Sequence, residues 1–229
     1  MTSDDIRKQK RDAETLAKTA GGVLALLLCL RHTDELVTWD PAHARFAIGG
    51  NFVAAVTIRD SLARLQSYVG VRMSRVAEQL FVGSIPFGAW AAAMAELISS
   101  SHIIAAALAL GSIDAAIVDR TVQSRIDQEH AFARGLGKAI KEKKPGTTVQ
   151  RIKARARTYT AAAGITFAVI EQQVRKSLGT DTHAYRTCTA AESCDGCLVW
   201  AGKWIPIDDM PEIGSLDCGR FCKCYMEYQ

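Results

Sequence analysis

The chain has 229 residues, 48% hydrophobic and 23% charged, with a formal net charge of +4. These values exclude an overall disordered chain and leave room for one medium domain, or a larger domain with an appendage. Charge is unevenly placed: segment 120–157 holds eleven Lys/Arg against three Asp/Glu (+8), and segment 188–229 holds three against seven (−4).

The N-terminus is dense in mixed charge, unlike a secretory signal. Segment 3–20 reads as a charged helical start, with Ser3 as N-cap ahead of Asp4 and Asp5. Gly21-Gly22 interrupts it, and the apolar run 23–30 fits a continuing helix and a buried strand equally well. Asp40-Pro41 and Gly49-Gly50 mark breaks. A helix over 52–81 follows, with Val56, Leu62, Leu65, Val69, Val76 and Leu80 as its buried stripe. Loop 83–88 carries Pro86 and leads into an Ala-rich helix over 89–110. A third helix spans 114–144, its Lys138, Lys141, Lys143 and Lys144 suiting the negative end of the helix dipole. Pro145-Gly146 ends it. Thr147 and Gln150 form a capping box for a fourth helix over 148–178, and Gly179 follows as C′. Residues 180–187 read as a linker.

Run 23–30 is far short of the roughly 20 residues that span a bilayer. The uncharged stretches 79–95 and 97–113 are broken by Gly83, Pro86 and Gly88 in one and by three serines with His102 in the other. Both are read as buried core helices, and no membrane contact is expected.

Six of the seven cysteines fall in 188–229. Cys194 and Cys197 make a C-x2-C pair, and Cys218, Cys222 and Cys224 follow as C-x3-C-x-C. Paired cysteines flanking a loop of this length have the spacing of a small tetrahedral zinc site, which needs four soft donors. Forty residues bury little apolar surface alone, so a cross-link is physically motivated. Five cysteines compete for four places, with Cys188 a sixth and His183 a reserve ligand. Cys222 and Cys224 alternate in direction if extended, so both need not ligate. Synthesis in a reducing cytosol favours metal-bound thiolates. Disulfides formed in an oxidising medium and unlinked buried thiols are the alternatives. Between the cysteine groups, 200–206 reads as two short strands around a turn.

Arg151, Lys153, Arg155 and Arg157 alternate with apolar residues and are the candidate nucleic-acid contacts, within the basic region 120–157. A solvated face or an acidic protein neighbour explains the same charges. None of the five histidines pairs with another at ligand spacing, and no P-loop, G-x-S-x-G or H-E-x-x-H motif is present. No catalytic or organic-cofactor residue is assigned, and the chain is not expected to be an enzyme.

The tail combines the C-x2-C pair, a Trp200-to-Trp204 segment with Gly202, Pro206, Met210-Pro211, Gly214, and a closing Cys218 and Cys222-x-Cys224 before a final Tyr228. This pattern resembles the C-terminus of phage minor head proteins, the head-morphogenesis family typified by the F protein of phage Mu. The helix around Arg155-Ala-Arg157-Thr158 and the segment 83–111 are similar to that family's preceding helices. Cys218 stands where many relatives have His, and Tyr159 where an acidic residue often follows the Arg-Thr pair. The resemblance implies a structural component of a tailed-phage virion, assembled in the host bacterial cytoplasm. Its implied partners are portal, capsid or neck proteins in a symmetric multi-copy assembly, with packaged DNA a further possibility. The other functional reading is a zinc-ribbon-like nucleic-acid-binding factor using the 120–157 region.

The expected fold is mainly α: a long-helix bundle with a small Cys-rich β-hairpin, zinc-knuckle-like C-terminal module. Its parts are an N-terminal helical or irregular segment (1–51), a long-helix body (52–179) and the Cys-rich module (188–229).

Overall fold

A computed structural model describes residues 37–40, 45–48, 51–52, 55–110, 121–143, 145–179, 181–188 and 193–229. Four long helices carry most of them: α1 (Ala55–Phe81), α2 (Phe87–Leu110), α3 (Thr121–Lys141) and α4 (Val149–Leu178). Each touches the other three, so they form one bundle. On α1 the buried residues Leu65, Val69, Met73, Ala77 and Leu80 recur at intervals of three and four, which places them on one face. The mainly helical class with a small Cys-rich β module is therefore the fold of this chain.

Helix α2 sits deepest. Trp90, Met94, Ile98, Ile104 and Ala105 are all buried, and its alanines let neighbouring backbones approach. Among the described residues, Phe87–Ala109 is long and apolar enough to cross a membrane, with a mean hydropathy of 1.5. Here 56% of that stretch is buried, as suits the core helix of a bundle.

Both ends of α4 are capped. Thr148 Oγ1 accepts from the Arg151 N–H at 3.3 Å, one residue later than the Thr147–Gln150 box predicts. Gly179 is left-handed at φ 62°, and its N–H bonds the carbonyls of Arg175 and Lys176. Helix α1 starts at Ala55, after residues 51–52, which pair as a strand. Within 37–52, β1 (Val37–Asp40), β2 (Arg45–Ile48) and β3 (Asn51–Phe52) form an antiparallel sheet in the order β1-β2-β3. Segment 1–51 was expected to be helical or irregular, and strands this short display too few residues for a period-two pattern to stand out. The charged start 3–20 and the apolar run 23–30 lie outside the described residues.

One glycine governs how closely α2 and α3 pack. A Cβ added at Gly137 would lie 2.2 Å from Trp90 Cζ3 and 2.8 Å from Phe87 Cε2. Trp90 is fully buried and has nowhere to retreat. Gly137→Ala should therefore destabilise the bundle by roughly 1–3 kcal/mol through overpacking, net of an intrinsic helix gain of about 1 kcal/mol. A lowered urea midpoint at unchanged m-value is the expected result; a more stable variant would contradict the packing assignment.

Candidate metal centre

After Gly179 the chain builds a second antiparallel sheet, in the order β5-β4-β6, from β4 (His183–Thr187), β5 (Trp204–Pro206) and β6 (Tyr225–Tyr228). Its central strand lies in the segment read from sequence as a linker. Ala184 and Arg186 are the inward residues of β4, and an arginine on the buried side hides the usual apolar alternation. Residues 200–206 are the end of a short helix, α5 (Asp195–Trp200), followed by β5, whose partner is β4.

The module's own core contains Ala184, Cys197, Ile207, Met210, Ile213, Cys222 and Met226, with Ile165 and Val169 contributed by α4. Helix α4 thus serves both the bundle and the module. Gly214 is left-handed at φ 81°, and a Cβ there would meet Ile165 Cγ2 at 2.8 Å, so only glycine allows this close approach. Gln172 Nε2 donates to the Met210 carbonyl at 2.8 Å, and Gln173 Nε2 to Glu212 Oε1 at 3.1 Å.

Three local structures deliver the six sulfurs. Cys194 is the N-cap of α5 and Cys197 lies in its first turn, with the Cys197 N–H bonding the Cys194 carbonyl at 2.9 Å. A 3-10 turn over Gly219–Phe221 separates Cys218 from Cys222 and folds them toward one another. Cys224 leads into β6. The register Arg186↔Met226, Thr187↔Tyr225 places Cys188 opposite Cys224 at the next step, and their sulfurs are 3.1 Å apart.

The sulfurs of Cys194, Cys197 and Cys218 all lie within 4.8 Å of one another, as do those of Cys197, Cys222 and Cys224. Cys197 Sγ is 3.4 Å from Cys218 Sγ and 3.9 Å from Cys222 Sγ. A tetrahedral ion with metal–sulfur bonds of about 2.3 Å has sulfurs about 3.8 Å apart, so these spacings suit metal ligation. The six thiols are free of disulfides, and the cluster can hold a metal ion. All five predicted ligands are brought together, and Cys188 joins them. His183 does not. It stands at the far end of β4, about 17 Å from Cys188 at roughly 3.4 Å per residue.

Proton affinities within the cluster are split. The backbone N–H of Cys197 lowers the Cys194 thiol. Burial raises Cys197, Cys218 and Cys224. Burial opposes ionisation of Cys222 too, but the Cys224 backbone N–H and other donors outweigh it and the net direction is down. A cation placed among them displaces the protons, because only thiolates ligate.

Arg186 is the charged neighbour. It is fully buried, its Nη1 donates to Cys197 Sγ at 3.4 Å, and its Nη2 donates to the carbonyls of Pro211 and Glu212. Among the described residues no carboxylate pairs with it. A second arginine sits between the ligands themselves: Arg220 reaches Glu129 on α3 at 2.8 Å and packs its guanidinium over the rings of Phe132 and Tyr159 at 4.6 and 4.9 Å. Neither arginine nor Glu129 is singled out by sequence spacing.

The four basic residues of α4 do not form one face. At about 100° per residue, Arg151 and Arg155 share one side and Lys153 and Arg157 the opposite one. Lys153 Nζ pairs with Glu78 Oε2 on α1 at 2.7 Å, and Arg157 Nε donates to Ser74 Oγ at 3.2 Å. Arg151 donates to the Gly146 carbonyl at 3.1 Å, and the charge of Arg155 acts on the Tyr159 hydroxyl. These contacts suit helix packing at least as well as phosphate binding.

A scan against protein-family models, a search of curated proteins and a search of solved structures each find no match to this chain.

Proposed function

We propose that the cysteine cluster is a structural zinc centre and that the chain is a non-catalytic assembly protein of the phage minor head type. One observation carries the first half: the sulfurs of Cys194, Cys218, Cys222 and Cys224 gather around the buried Cys197, and that of Cys188 lies beside Cys224. An all-sulfur tetrahedral donor set suits zinc, and a site closed by protein ligands leaves no open position for a substrate. Bound there, zinc would cross-link α5, the 3-10 turn and the start of β6 to one another, while Ile165 and Val169 pack the module on α4. The second half rests on the tail's resemblance to head-morphogenesis proteins. A rigid bundle with a stapled module fused to its longest helix suits a part that docks to portal, capsid or neck proteins within the virion.

Two experiments test this. Metal analysis of purified protein should find zinc, and chelation should abolish the fluorescence signature of Trp200 and Trp204 while the helical circular dichroism of α1–α4 largely persists. Protein free of metal, with the module folded regardless, would overturn the zinc assignment. Mass spectrometry of purified particles made from the genome encoding this chain should detect it, and absence from them would remove the virion assignment.

A further inference from the structure

The cysteine cluster contains two sulfur triads, Cys194, Cys197 and Cys218 in one and Cys197, Cys222 and Cys224 in the other. They share Cys197, and one further sulfur stands beside a member of each. Cys222 lies 3.9 Å from Cys197 and is the sulfur beside the triad of Cys194, Cys197 and Cys218. Cys188 lies 3.1 Å from Cys224 and is the sulfur beside the triad of Cys197, Cys222 and Cys224.

We propose that the centre is binuclear: two zinc ions share six thiolates, with Cys197 and Cys222 bridging, Cys194 and Cys218 terminal on one ion, and Cys188 and Cys224 terminal on the other. It rests on the zinc assignment above and deepens it. Two tetrahedral ions present eight coordination places, and six donors fill them only if two donors count twice. Cys197 belongs to both triads, and Cys222, 3.9 Å from it, is the second sulfur assigned to bridge.

Burial agrees with this division. Bridging sulfurs lie between the ions and inside the cluster, terminal ones at its edge. Cys197 is 1% exposed and Cys222 8%, whereas the other four cysteines are all half-buried. A single ion would take four sulfurs and leave two thiols in the same cluster without a role, although the β4–β6 register sets Cys188 directly opposite Cys224. The charge also closes sensibly. Two Zn²⁺ with six thiolates carry a net charge of −2, and the buried guanidinium of Arg186 contacts the cluster at the bridging Cys197. A buried cation without a carboxylate partner needs such an anion beside it.

Native mass spectrometry of the full chain tests the stoichiometry. Two zinc ions per chain are expected. Exchange with ¹¹³Cd should give two cadmium resonances, each split by the other through the shared sulfurs. Cys188→Ser should lower the zinc content from two toward one, whereas in a single-ion site built on Cys194, Cys197, Cys218 and Cys222 it would leave the content at one. If that variant fails to fold, the cadmium spectrum of the unmodified protein decides alone. One zinc per chain overturns the binuclear assignment and leaves the zinc reading standing. So does one zinc with a mass lower by two hydrogens, the mark of a Cys188–Cys224 disulfide. No metal, or iron in its place, overturns both.

Discussion

Replacing Arg186 with methionine is expected to destabilise the metal-loaded protein by about 3–5 kcal/mol, and the metal-free protein by distinctly less. The asymmetry follows from what surrounds the side chain. With metal bound, Cys197 is a thiolate and Arg186 is the cation that contacts it inside a dry interior. Removing the guanidinium then leaves buried negative charge uncompensated. Without metal the cluster holds protons, and the guanidinium becomes the uncompensated charge, so its removal relieves part of the penalty. The carbonyls of Pro211 and Glu212 lose their donor in both states, and that common loss cancels in the comparison. A difference of about 2 kcal/mol between the states corresponds to roughly 30-fold weaker zinc binding. Arg186→Lys keeps the charge but loses the planar fork that reaches sulfur and carbonyls together, so it should fall between the two. Urea unfolding of loaded and chelated protein, followed by tryptophan fluorescence, measures both quantities. Equal losses in the two states would reduce Arg186 to a carbonyl donor with no part in charge balance.

Why Arg186 escapes notice in the sequence bears on how much of this protein is legible there. The helices are legible because their signal is local: Leu65, Val69 and Leu80 on α1, or Ile152, Ala156, Tyr159 and Ala163 on α4, repeat at three and four residues, and Gly179 marks the stop. The Cys194–Cys197 knuckle is equally local, one helical turn wide. The misplaced features depend on partners far along the chain. β4 turns Arg186 inward onto Cys197 and the carbonyls of Pro211 and Glu212, and a strand with a buried arginine looks like a linker. Cys188, a sixth candidate by sequence, gains a specific neighbour only through the β4–β6 register, which sets it beside Cys224, 36 residues on. Glu129 looks like one of three acids diluting a basic segment, yet it is buried at 3% exposure and receives Arg220 from the other end of the fold. Charged residues read as surface by default, and in this chain three of them organise the interior.

Arg220→Ala is expected to cost about 3–5 kcal/mol at pH 8.5, where buried Glu129 loses its paired cation and must either ionise without it or hold a proton that the solvent no longer supplies, and substantially less at pH 5.5. Burial raises the Glu129 carboxyl from 4.5 to about 7, against the opposing pull of Arg220 and Arg125. The folded protein therefore holds a proton that the unfolded chain has released between those two values. Its contribution to stability is fully present below about 4.5 and is lost as the pH rises through 7, by about 3 kcal/mol in all. Taking Arg220 away removes the larger of the two stabilising charges, so the carboxyl should keep its proton to still higher pH and the falling limb should move up. At pH 5.5 Glu129 is already neutral, and the variant loses mainly the guanidinium's contacts with Phe132 and Tyr159, about 0.5–1 kcal/mol each. Glu129→Gln should flatten the pH profile between 5.5 and 8.5, and in that background Arg220→Ala should cost the same at both ends. Denaturant unfolding of the four proteins at the two pH values gives the comparison. A pH-independent cost in the Glu129-containing protein would show that Arg220 holds the module to the bundle by packing alone. The predicted dependence would instead show that the residue between two metal-ligand candidates, Cys218 and Cys222, is also the electrostatic latch on α3.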